Sequence, residues 1–195
     1  MGTVTVGVDI GQKRDPTAIA VVELDQRTPT DDHHLARHLE RLPLMTSYPD
    51  VAKRILEVAR GVRERTRVAP HLYLDATGVG TPVVDVLRDA GYPGGITACY
   101  FTHGDRRTQE GSQVSIGKAW LVSRLQVLLQ SQRLHLPITA EAQALARELQ
   151  DYEIKIDQHA NDTYGAFKVG THDDLVTALG LAIQPKRPSA RLVTW

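Results

Sequence analysis

A single cysteine, Cys99, stands in 195 residues, so no disulfide framework forms within the chain and a reducing compartment suits it. No charged-then-apolar leader opens the sequence, and no apolar run approaches the ~20 residues that a membrane span needs. Net charge is missing as well: 23 Lys and Arg balance 23 Asp and Glu, which leaves no overall field to draw in a polyanion. That balance weighs against a dedicated nucleic-acid-binding module. The only phosphate-loop-like turn, Gly78-Val79-Gly80, lacks the G-x-x-x-x-G-K-[ST] pattern, so no nucleotide motor is evident. No serine sits in a G-x-S-x-G elbow, and Cys99 lies in an apolar stretch and reads as a core residue, which removes nucleophilic Ser or Cys catalysis. His103, His135 and His159 have no zinc-like spacing with cysteine. Repeats and low-complexity tracts are absent too.

What is present is an ordinary globular composition, 42% hydrophobic and 24% charged, in a chain long enough to bury a core without staples. The reading is a soluble, intracellular protein with no membrane role, one domain over residues 1–185 and a loosely held tail over 186–195. Residues 3–9 and 17–24 are β-rich and flank a Gly, Lys, Arg, Asp and Pro turn, which predicts an antiparallel hairpin. Residues 34–42 read as a third strand, although Leu35 and Leu39 also suit a helix turn. From Pro49-Asp50, Val51, Ile55, Val58, Ala59 and Val62 recur at helical spacing to about Arg65. His71–Asp75 is a short apolar strand, Thr81-Pro82 opens a helix ending near Gly91, and Ile96–Phe101 is the next strand. A polar loop over 102–112 then leads into a predicted helix from about Gln113 to Gln130, with Ile116, Trp120, Leu121, Leu125 and Leu128 on one face. A brief extended piece at Leu134–Pro137 precedes a helix capped by Thr139, and residues 151–168 read as an added β-hairpin. A last helix follows Thr171. Strands first, then alternating helix and strand, predict an α/β fold: a mixed β-sheet flanked by helices on both faces.

The chemistry concentrates in acids placed where strands end and a helix begins: V-G-V-Asp9-I-G, L-Y-L-Asp75-A-T-G and T-His172-Asp173-Asp174-L-V-T-A-L. An apolar strand that stops on Asp lifts the acid to the sheet's rim, where neighbouring strands bring further acids alongside. Such acids repel unless cations sit between them. Two Mg2+ or Mn2+ ions about 3.5–4 Å apart would relieve that repulsion and activate water against a phosphodiester. Each acid also has a plainer reading. Asp9 could terminate its strand by accepting the Gly11 amide, Asp75 could be a turn residue, and Asp173 or Asp174 could cap a helix. Asp15 is either a hairpin-turn residue or a support for Asp9. Lys168 is either an exposed strand lysine or a group approaching the same cluster, and His172 either flanks the helix start or serves a metal there. Between His103 and Arg133, the bases Arg106, Arg107, Lys118, Arg124 and Arg133 outnumber Asp105 and Glu110. They either touch phosphates or form a solvated loop and helix face.

On these residues the chain resembles the nuclease domain of the large terminase subunit of tailed bacteriophages, in the ribonuclease H-like superfamily that also holds RuvC-type resolvases. The matching pieces are G-V-Asp9-I-G with Asp15-P-T-A-I-A, then L-Asp75-A-T-G-V-G-T-P-V-V-D-V-L, Lys118-A-W-L-V-S-R-L with L-H-L-P, and His172-Asp173-Asp174-L-V-T-A-L-G-L-A. The last is the most specific. The resemblance implies a ribonuclease H-like fold and a divalent-metal-dependent endonuclease that cleaves double-stranded DNA during viral genome packaging. It implies that Asp9, Asp75 and one or both of Asp173 and Asp174 bind two Mg2+ or Mn2+ ions with DNA bound. It further implies an ATPase domain or subunit of a packaging motor, a portal and a small terminase as partners, in the cytoplasm of the infected host cell. Where the family often has a further aspartate this chain has Thr177, so Asp174 is favoured as ligand and Asp173 as cap or supporting ligand. The competing expectations are a RuvC-like Holliday-junction resolvase and a non-catalytic DNA-packaging docking module.

Overall fold

A computed structural model describes residues 3–28, 31–151, 153–156, 162–165 and 172–184. Lys168 and the expected tail over 186–195 lie outside the described residues. Strands β1 (Thr3–Asp9), β2 (Ala18–Thr28) and β3 (Asp31–Arg41) form an antiparallel meander, and α1 (Tyr48–Thr66) follows. The Ser47 hydroxyl accepts the Asp50 amide at the start of α1, and Arg67 closes it in the left-handed conformation. Next come β4 (His71–Asp75), α2 (Gly80–Asp89), β5 (Ile96–Thr102), β6 (Arg107–Glu110) and β7 (Gln113–Gly117). The chain continues through α3 (Lys118–Gln130), β8 (Leu134–His135), α4 (Ala140–Asp151), β9 (Glu153–Ile156), β10 (Asp162–Gly165) and α5 (Asp174–Ala182). Eight strands make one mixed sheet in the order β6-β7-β5-β4-β1-β2-β3-β8, and β9 pairs with β10 apart from it.

Two elements, β6 and β7, depart from the sequence pattern. Residues 113–117, expected to begin a long helix, form β7, parallel to β5 and antiparallel to β6, and the expected polar loop contains β6. Val114 and Ile116 alternate with partly exposed Ser115, a period of two, and both are fully buried. Gly117, the last residue of the strand, lets the Gly104 backbone come close, since a Cβ there would lie 2.1 Å from the Gly104 carbonyl oxygen. Helix α3 therefore starts at Lys118.

Side-chain parity on the central strands decides what reaches each face. Val4, Val6 and Val8 of β1 and Leu72 and Leu74 of β4 pack with Val51, Ile55 and Ala59 of α1 and Val83, Val84 and Leu87 of α2. The opposite face takes Tyr73, Ala18, Ala20 and Val22 against α3, α4 and α5. The odd positions of β1 thus face α5, where every side chain from Asp174 to Ala182 is buried. Burying each of Leu175, Leu179 and Leu181 contributes about 2 kcal/mol. The helix also sits unusually close: a Cβ at Gly7 would lie 2.0 Å from the Ala178 carbonyl oxygen, and the Thr5 hydroxyl donates to the Ala182 carbonyl at 2.5 Å.

Two stability predictions follow from this packing. Gly7→Ala should cost about 3 kcal/mol in urea unfolding, because the obstacle is helix backbone that cannot rotate aside; a loss below about 1 kcal/mol would mean that α5 can simply step back. His34 of β3 is buried near Arg124, which pushes its imidazole down to about 4 from 6.5. Since the unfolded chain then binds the proton first, stability falls as pH drops from 6.5 towards 4, by about 3 kcal/mol at the lower end. Unfolding curves across that window should be correspondingly flatter in His34→Gln than in the wild type.

Candidate metal centre

Strands β1, β4, β5 and β7 run parallel, so their carboxyl ends share one rim, the usual place for a ligand site in such sheets. Val8 pairs with Leu74, and one residue further Asp9 and Asp75 stand side by side on the parity that faces α5. The plainer reading of Asp9 does not describe the geometry: the Gly11 amide donates instead to the Thr17 hydroxyl at 3.1 Å, which leaves the Asp9 carboxyl to the rim. Asp75 stands at the rim and is also a turn residue. It accepts the Thr77 amide at 2.9 Å, and Thr77 in turn accepts the Phe101 amide on β5 at 3.1 Å. Gly80 permits this tight turn, since a Cβ there would lie 1.9 Å from the Asp75 carbonyl oxygen.

From the other side, α5 brings Asp173 and Asp174. Asp173 occupies the N-cap position but its side chain makes no capping bond, which leaves the supporting-ligand alternative open; it lies 3.8 Å from the Lys118 ammonium. The capping falls to Glu148 of α4, whose Oε2 accepts the Leu175 and Val176 amides at 3.1 Å each. Sequence reasoning passed over Glu148. Its signal was an acid three residues past Leu145 in an otherwise apolar stripe, and it is only 6% exposed. Asp174, 2% exposed, accepts the Arg41 Nε at 2.6 Å through Oδ2, and Arg41 Nη2 pairs with Glu148 Oε1. Among the described residues Asp174 Oδ1 has no hydrogen-bond partner, and His172 Nδ1 lies 4.0 Å from it. His172 Nδ1 is also 3.4 Å from Asp15 Oδ1, which joins the hairpin turn to the cluster.

Electrostatics registers the crowding. Burial first, then the charges of Asp75, Asp173 and Asp174, push the Asp9 carboxyl well above the usual range. Burial also raises Asp75, against hydrogen bonds from Thr77 and Asp9 and the Lys118 charge, and raises Asp174 against Arg41. Lys118, sequence-matched to the basic stretch, therefore stands inside the acid cluster, with its ammonium 5.6 Å from the Phe101 ring centre. Arg106 is exposed near the rim, while Arg107 donates to the Gln184 side chain at 3.0 Å.

Among the described residues no group of three or more Asp, Glu, His or Cys side chains is gathered closely enough, as placed, to hold a metal ion. The donors are nevertheless suited to one. Oxygen-only ligands match hard divalent cations, Asp174 presents an unsatisfied buried oxygen, and Asp9 sits among like charges that a cation would offset. The residues that could hold it are Asp9, Asp75 and Asp174, with Asp173 adjacent.

The family model described as "Terminase RNaseH-like domain" matches residues 6–186. The chain belongs to that family. Solved structures agree on the fold of this terminase domain. The large terminase nuclease of thermophilic phage G20c with bound magnesium superposes with a TM-score of 0.67 at 21% identity, covering 93% of this chain and 80% of that one. The nuclease domain of the large terminase subunit of bacterial virus Sf6, with manganese, gives 0.67 at 16% identity over 95% and 89%. The human cytomegalovirus terminase nuclease domain gives 0.60 at 15% over 92% and 81%. A comparison with curated proteins finds no match. The expected ribonuclease H-like α/β fold is thereby established, and no helix among the described residues is long and apolar enough to cross a membrane.

The raised Asp9 carboxyl makes a signed prediction. A carboxyl lifted in the folded state adds stability below its unfolded value of about 3.8 and loses it as pH rises through the folded value. In EDTA at pH 7, Asp9→Asn should therefore melt several degrees above the wild type, with the gap closing as pH falls towards 4. An Asn variant that melts lower at neutral pH would show that Asp9 is not under repulsion.

Proposed function

We propose that this terminase domain is a divalent-metal-dependent endonuclease that cleaves double-stranded DNA during viral genome packaging. The observation that carries the reading is the convergence of Asp9, Asp75 and Asp174 on one sheet rim in a member of the terminase family. The relatives' structures with magnesium and manganese support Mg2+ or Mn2+ as the cofactor, two ions being expected with DNA bound. When bound, such ions supply Lewis-acid activation of water and of the scissile phosphate.

The protein's own groups do the positioning. Asp9 and Asp75, on adjacent rigid strands, would hold ligands from the sheet side, and Asp174 would hold from the helix side. The Thr77 amide and the Arg41 guanidinium keep the carboxylates of Asp75 and Asp174 from swinging away. Lys118 places a positive charge beside the cluster, where a phosphate would approach, and exposed Arg106 offers a second. His172 and Asp15 close the side of the cluster next to the β1–β2 turn. A packaging ATPase, a portal and a small terminase fit as partners in the infected host's cytoplasm, on family membership alone.

The test is supercoiled plasmid incubated with Mn2+, Mg2+ or EDTA. Cleavage should need the divalent ion, and Asp9→Asn should lose more than the ~100-fold that removing a mere supporting contact costs. Cleavage that persists in EDTA, or an Asn variant as active as the wild type, would remove the assignment. A four-way junction that outcompetes linear duplex would favour a RuvC-like resolvase instead.

A further inference from the structure

We propose that Arg41 and Glu148 form a clamp that decides which oxygen of Asp174 is offered to the cation, making Arg41 a positioning residue for metal binding. The inference rests on the metal reading above. Three elements meet in it: β3 contributes Arg41, α4 contributes Glu148 and α5 contributes Asp174. Arg41 Nε donates to Asp174 Oδ2 at 2.6 Å, and Nη2 faces Glu148 Oε1. Glu148 Oε2 takes the two free amides at the start of α5. Among the described residues neither Glu148 Oε1 nor Asp174 Oδ1 has a hydrogen-bond partner, but Glu148 Oε1 faces the Arg41 guanidinium whereas Asp174 Oδ1 does not.

The charge count points the same way. Two buried carboxylates share a single guanidinium, which leaves one negative charge of the pair without a cation in Arg41, and Asp174 is among the acids that act on Asp9. A planar fork is needed, because Arg41 must reach two carboxylates from two different nitrogens while it restrains Asp174 in rotation. Lysine keeps the charge but has only one nitrogen.

A bland alternative is that Arg41 only neutralises its neighbours. The two accounts differ in sign. If Arg41 were a competing charge, Arg41→Gln would leave the site more negative and bind Mn2+ more tightly. The clamp predicts weaker binding in Arg41→Gln and in Arg41→Lys alike, by ~10-fold or more.

The experiment is Mn2+ titration without DNA, reading free Mn2+ by electron paramagnetic resonance, with melting temperature measured on each variant. Glu148→Gln is included as a second route to the same clamp, should Arg41→Gln fail to fold, and should also weaken binding. A purely structural role would lower the melting temperature of folded variants and leave the Mn2+ affinity alone. Wild-type or tighter affinity in Arg41→Lys overturns the clamp. A wild type that binds no Mn2+, or an Asp9→Asn variant that binds it undiminished, overturns the metal reading itself and the clamp with it.

Discussion

Helix α5 can lie on β1 only because position 7 carries no side chain. The Ala178 carbonyl oxygen and Ala182 amide occupy the space where a Cβ would go. Much else depends on that contact. It covers the odd-numbered face of β1, lets the Thr5 hydroxyl reach the Ala182 carbonyl, and sets how far along the sheet the start of α5 reaches. With β1 ending at Asp9 and α5 beginning at Asp174, close packing of the two elements delivers one acid to the other from opposite sides of the chain.

That closeness has an electrostatic cost, and the surroundings answer it piece by piece. Lys118 meets Asp173, Arg41 meets Asp174, and the Thr77 amide meets Asp75. Asp9 lies among three other acids, and burial together with their charges lifts its carboxyl well above the ordinary range. Burial raises carboxyls because low-dielectric surroundings disfavour the charged form, and neighbouring anions add to the penalty. Two cations close to the rim are tied to elements outside the sheet's centre: Arg41 on an outer strand of the meander, Lys118 at the first position of α3.

The strands that carry Asp9 and Asp75 were legible because a period-two apolar run ending on an acid is a local signal. So was the β1–β2 hairpin, and so was α4 from its Thr139 cap, whose hydroxyl accepts the Ala142 amide at 3.2 Å. Strand β7 was not, because Ile116 continues to Trp120 and Leu121 at helical spacing and only pairing with distant β5 reveals it as a strand. Arg41 and Glu148 left no pattern either. Their partners stand far away in sequence, 133 positions in the case of Arg41 and Asp174, and no periodicity encodes such a distance. Glu148 also took the capping duty that the Asp173-Asp174 pair suggested, because a buried helix start needs an acceptor and a neighbouring helix supplied one with two bonds.

The arrangement separates two tasks that the sequence runs together in His172-Asp173-Asp174. A carboxylate used as a helix cap has its oxygens committed to amides and makes a poor ligand. By giving the cap to Glu148, the fold leaves Asp173 facing Lys118 and Asp174 with one oxygen uncommitted. Glu148 could not do this from solvent. It is buried on α4, and the two amide bonds tie the start of α5 to that helix. The acid that never reaches the rim is therefore the one that sets where Asp174 stands on it.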